Sequence, residues 1–407
     1  MARTAGEGWV AVLTLSALVL GAQGLGCGPS EGTDAPADNA ISEATRAYLA
    51  RVGPGVILPA LNAFRSEAVP LRAAIDSWQA AVGTEGENDA REAAREAFAA
   101  AFEAWQLVEP MQVGALAPSL SAPGGRDLRD TAYSWPTVNP CRVDQETVAG
   151  DFESAAWTDT ALVNVRGLDA LEYLLHVDTP ANACPPQVNI NSDGSWDALG
   201  DEVWQARADY AAALASDLIA TTDAAISAWS PSGDDQSGGL ATPGAGPWST
   251  EAQALNAVYD ALFYMYKKGN DRKIGQPAGI IDCGAATCPD DVEARRSGLS
   301  DRAFLANLRG FRALFSGDFG DDAGPGMDDV LIAAGAEDVA EQVLSTLQIA
   351  EDAVEALDQP FDEAIAADAD AFRDLYRTVK DFADVVRHDV STVLQLTVPQ
   401  EAAGDND

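Results

Sequence analysis

Lysine is nearly absent from this 407-residue chain: Lys267, Lys268, Lys273 and Lys380 are the only four. Basic residues number 25 against 64 acidic ones, a formal net charge of −39. The basic footprint needed to bind phosphate backbones is missing, which excludes nucleic acid as a partner. Charge of this sign favours solubility and attracts cations. Adaptation to salt, or simple solubility, accounts for it more readily than cation storage. Histidine is scarcer still, with only His176 and His388. Two distant histidines cannot form His-Glu-x-x-His, so a zincin protease mechanism is excluded. The chain also lacks Gly-x-Ser-x-Gly, a phosphate-binding glycine loop and a dinucleotide fingerprint. Beyond the N-terminal segment no stretch approaches the ~20 apolar residues that span a bilayer.

The cysteines number five. Residues 1–26 read as a targeting segment, with Arg3 at the start and a largely apolar run from Trp9 to Leu25. The run ends at Gly24-Leu25-Gly26-Cys27, which fits a bacterial lipoprotein signal with Cys27 as the lipidated residue. An ordinary cleaved signal or a membrane anchor is the alternative. The expected location is the bacterial cell envelope, lipid-anchored and periplasmic, or at the outer membrane or extracellular face. The other four cysteines read as two disulfides, Cys141–Cys184 and Cys283–Cys288, by proximity in an exported chain. A zinc site is the competing reading, with poor spacing and few partner histidines.

Residues 27–40 are a Gly-, Pro-, Ser-, Asp- and Ala-rich tether. From Ile41 the apolar residues recur with the helical period of 3.6. Examples are Phe98, Phe102 and Trp105; Leu255, Val258, Tyr259 and Leu262; Phe304, Leu308, Phe311 and Phe315; and Phe372, Leu375, Val379 and Phe382. An all-α fold of two four-helix-type bundles is expected. Residues 41–229 form the first domain, 230–248 a Ser/Gly/Asp/Pro-rich linker, 249–398 the second domain and 399–407 a disordered tail. Residues 111–160, rich in Pro and Gly, make a long irregular excursion that Cys141 is expected to pin.

Three places carry candidate chemistry. Asp169, Glu172 and His176 fall at i, i+3 and i+7 of an expected helix, within roughly 60° of one another. Two carboxylates and an imidazole on one face can hold a metal ion. An ordinary amphipathic helix with a solvated polar face explains the same pattern. Glu109 stands where the Phe98–Phe102–Trp105 stripe calls for an apolar residue. It is either buried and paired or metal-bound, or at a fraying helix end ahead of Pro110. Finally, Leu262 to Lys273 holds three of the four lysines. It either binds an anion or a distant carboxylate through Lys267 or Arg272, or is a helix C-terminus stopped by Gly269.

These segments together resemble the imelysin-like family, also called insulin-cleaving membrane proteases. The resemblance rests on Ala104-Trp105-Gln106-Leu107-Val108-Glu109-Pro110, Ser134-Trp135-Pro136, Cys141-Arg142-Val143-Asp144-Gln145 and Arg166 to Leu175. Leu262-Phe263-Tyr264, Lys267-Lys268, Asp271-Arg272-Lys273 and Ala306 to Arg312 complete it. It implies two helical bundles and a Gly-x-His-x-x-Glu motif near their interface. Here Gly167 and Glu172 match, but Asp169 stands in the histidine position. The resemblance also implies that Glu109 joins the motif in a metal site, as in related iron-uptake lipoproteins, with Asp169 as a substitute ligand. His176 and Asp130 are weaker candidates. The ion implied is Fe, Zn, Mn or Ca, and Asp favours the harder cations. The expected role is a lipid-anchored metal-binding protein of iron-uptake type, working with a metal-uptake partner protein. A metal-dependent peptidase and a non-catalytic scaffold or partner-binding module are the alternatives. No residue is assigned as catalytic.

Overall fold

The computed structural model describes residues 35–399. The signal segment, Cys27, most of the tether and residues 400–407 lie outside the described residues. The tether is shorter than expected, because the first helix, α1, already spans Ala35–Arg51. Six further long helices are α2 Leu58–Ala81, α3 Glu87–Val108, α4 Pro140–Ala149, α5 Gly167–His176, α6 Val203–Trp229 and α7 Glu251–Leu262. Then come α8 Ser300–Ser316, α9 Glu337–Glu355 and α10 Ala369–Val385, with short helical turns between them. The all-α expectation holds: among the described residues the only β-pairing is a single bridge between Phe319 and Asp322.

The helices form where the apolar period predicts them. α3 opens with Glu87 and Asp89, whose charges suit a helix N-terminus. It buries Phe98, Phe102 and Trp105 on one stripe. α7 starts at Thr250, whose hydroxyl accepts from Gln253 N, and α10 at Asp368, which caps two backbone N–H groups. α2 packs on α3 and α6, while α9 packs on both α8 and α10. The α3–α8 contact joins these sets, and the buried apolar core runs through both without a break. Gly310 makes that contact possible, because a Cβ there would collide with the Leu107 carbonyl.

The stretch read as a linker is built into the fold. Asp235 caps a short helix, Gln236–Ala241, whose Leu240 is buried, as is Trp248 beyond it. Gln236 accepts from Ala115 N at 2.8 Å and donates to Gly124 O at 3.1 Å, tying this stretch to the irregular excursion. Both disulfides are present, Cys141–Cys184 and Cys283–Cys288. The first ties α4, inside the excursion, to the chain beyond α5. The lysine-rich segment departs from expectation. Gly269 does not end a helix; a π-helical stretch runs from Met265 to Gly275 and packs on α10. Gly269 is buried within that stretch, with the flexible end of Met265 and the ring of Phe304 beside it.

Candidate functional site

Glu109 is the residue after α3 and is completely buried. One of its carboxylate oxygens accepts from Arg129. The other accepts from Lys273 Nζ at 2.9 Å and faces Asn307 Nδ2 at 3.4 Å. Lys273, 1% exposed, also donates to Asn307 Oδ1 at 2.7 Å and Gln106 Oε1 at 3.1 Å, and pairs with Glu293 Oε1 at 2.7 Å. The Tyr133 hydroxyl donates to the same Glu293 oxygen at 2.5 Å. Gln106 and Asn307 reach the lysine from α3 and α8, at the close crossing that Gly310 permits.

Burial pushes the Glu109 carboxyl up, but the charges of Lys273 and Arg129 outweigh it and hold the group down, at about 2. Glu293 shifts the other way. Its burial outweighs the pull of Lys273, and the nearby Glu109 charge adds to the rise.

The second set of carboxylates opens on a cleft of about 690 Å³. Its walls come from the excursion (Trp135, Pro136), from α5 (Asp169, Glu172, Tyr173), from the π-helical stretch and the residue that follows it (Arg272, Gln276) and from the loop before α8 (Asp290, Arg295, Arg296). The N-terminus of α5 is anchored by Arg166, whose Nε donates to Asp217 of α6 at 2.9 Å. Gly167 follows with φ +78°, and a Cβ there would lie 2.5 Å from the Ala132 carbonyl, so only glycine lets α5 start against the excursion. This contact brings Ser134 N to Asp169 Oδ2 at 3.2 Å. Glu172 accepts from both the N–H and the hydroxyl of Ser297, each at 2.9 Å. Burial, reinforced by the charges of Glu172, Glu293 and Glu109, raises the Asp169 carboxyl well above its usual range. Burial also raises Glu172, against the opposing hydrogen bonds from Ser297.

The expected residues therefore divide. Asp169 and Glu172 share the cleft. Their helix is buried on nearly every side, so the solvated-face explanation fails. His176 does not join them. Its ring packs edge-on to Phe98 with centroids 5.7 Å apart. Burial, followed by the charges of Arg95 and Arg91, lowers it to about 4. Asp130 is partly exposed and pairs with Arg129 at 2.7 Å. The frayed-end reading of Glu109 fails as well. The lysine-rich segment does send a cation to distant carboxylates, through Lys273.

Sequence reading missed Arg129, Glu293, Tyr133 and Asn307. Asn307 had a signal, a polar residue beside the Phe304–Leu308–Phe311 stripe. Glu293, in an aperiodic loop, had none.

A metal ion does not fit at Glu109, because both of its oxygens already hold buried cations. Among the described residues no group of three or more His, Cys, Asp or Glu side chains is arranged to hold one.

The family profile for Imelysin matches residues 57–384. No curated relative matches the chain. Among solved structures, a Parabacteroides distasonis protein described as a candidate iron-regulated protein A precursor superposes with a TM-score of 0.65 at 14% identity. That match covers 86% of this chain and 95% of the other. An imelysin-like protein from Psychrobacter arcticum superposes with a TM-score of 0.63 at 15% identity, over 88% of this chain and 98% of its own. These likenesses establish the fold, and the profile match establishes that the chain belongs to the imelysin family.

Proposed function

We propose that this protein is a binding protein of the cell envelope whose ligand is a metal ion carried by an anionic chelator, in an uptake-type role. The observation that carries the reading is the cleft. Asp169 and Glu172 lie in the same concavity as Arg272 and Arg296, while Arg295 there is paired with Asp290 and Asp362. Of the four carboxylates lining the cleft, Asp290 is paired with Arg295 and Asp291 accepts from Gln276, and Asp169 and Glu172 by themselves are too few donors to hold a bare ion firmly. An ion arriving with its own chelator needs fewer, and the arginines then meet the chelator's carboxylate or phosphate groups. The cleft volume is in the ordinary range for small-molecule sites. A lipid anchor at Cys27 and an uptake partner at the membrane belong to the same reading. The iron-regulated description of one structural neighbour is consistent with it.

The peptidase alternative has less support. Metal-assisted hydrolysis needs a firmly held ion, an open position for water and a general base. Glu109 is committed to two cations, which leaves Asp169 and Glu172 to hold the ion and supply the base at once.

Equilibrium dialysis against ferric citrate and ferric pyrophosphate tests the proposal. The variants are Asp169→Asn/Glu172→Gln and Arg272→Ala/Arg296→Ala. Retention near one iron per chain, lost in both variants, supports it. Failure to retain either chelate would sink it. Cleavage of an unfolded protein substrate, lost in Glu172→Gln, would instead favour the peptidase.

A further inference from the structure

The Lys273 ammonium is enclosed by oxygens from four residues: Glu293 and Asn307 at 2.7 Å, Glu109 at 2.9 Å and Gln106 at 3.1 Å. Two carboxylates and two carboxamide oxygens are the donor set a hard metal ion takes. The separations are those of charge-assisted hydrogen bonds rather than metal–oxygen bonds. Three N–H donors serve four acceptors, so the ammonium has no donor left over. The face of Tyr264 lies 5.5 Å from the same nitrogen.

We propose that Lys273 is the resident cation of this protein: its ammonium occupies the place where Glu109 and Glu293 would otherwise take a metal ion, and closes that site to metals in the native chain. This departs from the metal-ligand role that the family resemblance implies for Glu109. Arg129 donates to the remaining Glu109 oxygen, so both oxygens of that carboxylate are held by buried cations. A tethered cation needs no supply. It holds α3, the π-helical stretch, the loop before α8 and α8 itself together whatever the metal concentration. The inference does not depend on the cleft reading, because the two use different carboxylates.

Removing the ammonium should turn a closed site into one short of positive charge. Lys273→Ala leaves two buried carboxylates facing one arginine, with vacated space between them. Three measurements on the full-length protein test this: thermal unfolding with and without millimolar Mn²⁺ or Ca²⁺, Mn²⁺ stoichiometry by electron paramagnetic resonance, and wild-type unfolding in EDTA. Lys273→Ala should unfold roughly 5–10 °C below wild type. Mn²⁺ should restore part of that loss and bind at about one per chain, whereas wild type should show no Mn²⁺ site that depends on Glu109 and no response to EDTA.

Where Lys273→Ala folds, two results overturn the proposal. One is wild-type Mn²⁺ binding that disappears in Glu109→Gln. The other is a folded Lys273→Ala that ignores divalent ions. If Lys273→Ala does not fold, the charge-balanced Lys273→Ala/Glu293→Gln is the substitute. It should fold and bind Mn²⁺ at least tenfold more weakly than millimolar, and tight binding by it would also overturn the proposal. The wild-type measurements decide the matter in either case. Iron-chelate retention that depends on Asp169 but not on Glu109 would leave this inference standing.

Discussion

Glu109→Gln removes one negative charge from a fully buried cluster and keeps its shape. In the wild type the carboxyl is held at about 2, against an ordinary 4.5. At 1.36 kcal/mol per pH unit, that difference corresponds to about 3 kcal/mol of stability at neutral pH. It matches the roughly 3–5 kcal/mol lost when one partner is taken from a buried ion pair. The folded value is depressed, so this stability is complete above about pH 4.5 and is lost as pH falls toward 2. The gap between wild type and variant should therefore be about 3 kcal/mol at pH 7 and about half that at pH 3. Urea unfolding of both proteins at pH 7, 4.5 and 3 measures it. The difference between the two proteins is the useful quantity, because Asp169, Glu172 and Glu293 have raised values and contribute pH dependence of the opposite sign to both. Losing the Glu109 charge also eases ionisation of Glu293, which trims the gap at neutral pH. A gap that stays constant or widens between pH 7 and 3 would refute the assignment of Glu109 as an ionised partner of Lys273 and Arg129.

Gly167→Ala should cost about 1–3 kcal/mol by thermal or urea unfolding, since it combines a left-handed backbone with a collision at the Ala132 carbonyl; a neutral effect would mean α5 can start elsewhere. His176 is lowered to about 4, so it should stay neutral until the pH falls below about 5, and its imidazole proton shifts should show this by nuclear magnetic resonance. Stability tied to His176 is present above its unfolded value near 6.5 and declines as pH falls toward 4, so His176→Phe should flatten that limb of the stability profile. Replacing Cys141 and Cys184 by serine should cost about 2–4 kcal/mol. The same change at Cys283 and Cys288 should cost less, because that bridge spans 5 residues of sequence rather than 43.

Much of the architecture is written locally. The stripes through Phe98, Phe102 and Trp105, and through Phe304, Leu308, Phe311 and Phe315, are buried as their period requires. A helix has to bury its apolar side, and spacing alone says which side that is. Cysteine count and proximity were enough to pair the disulfides. The motif residues Asp169 and Glu172 do reach a common cleft. His176 shows where spacing stops being informative. On a helix covered on nearly every side, residues of one face meet different neighbours, and this one meets Phe98 and two arginines. Gly269 shows the same limit from the opposite direction: a residue that reads as a stop signal sits buried inside a continuing helix.

From its order of residues alone, the chain determines an all-helical protein of the imelysin family with two disulfides and a Gly-x-Asp-x-x-Glu motif. Each of these depends on local period, on spacing or on recognisable short segments. What Glu109 does was decided only by tertiary structure. Its lysine partner lies 164 residues away. The asparagine that shares that lysine lies 198 residues from Glu109, on a helix brought close by a single glycine. A buried carboxylate takes its chemistry from the charges that surround it. Those charges meet only when α3, the π-helical stretch and α8 pack together.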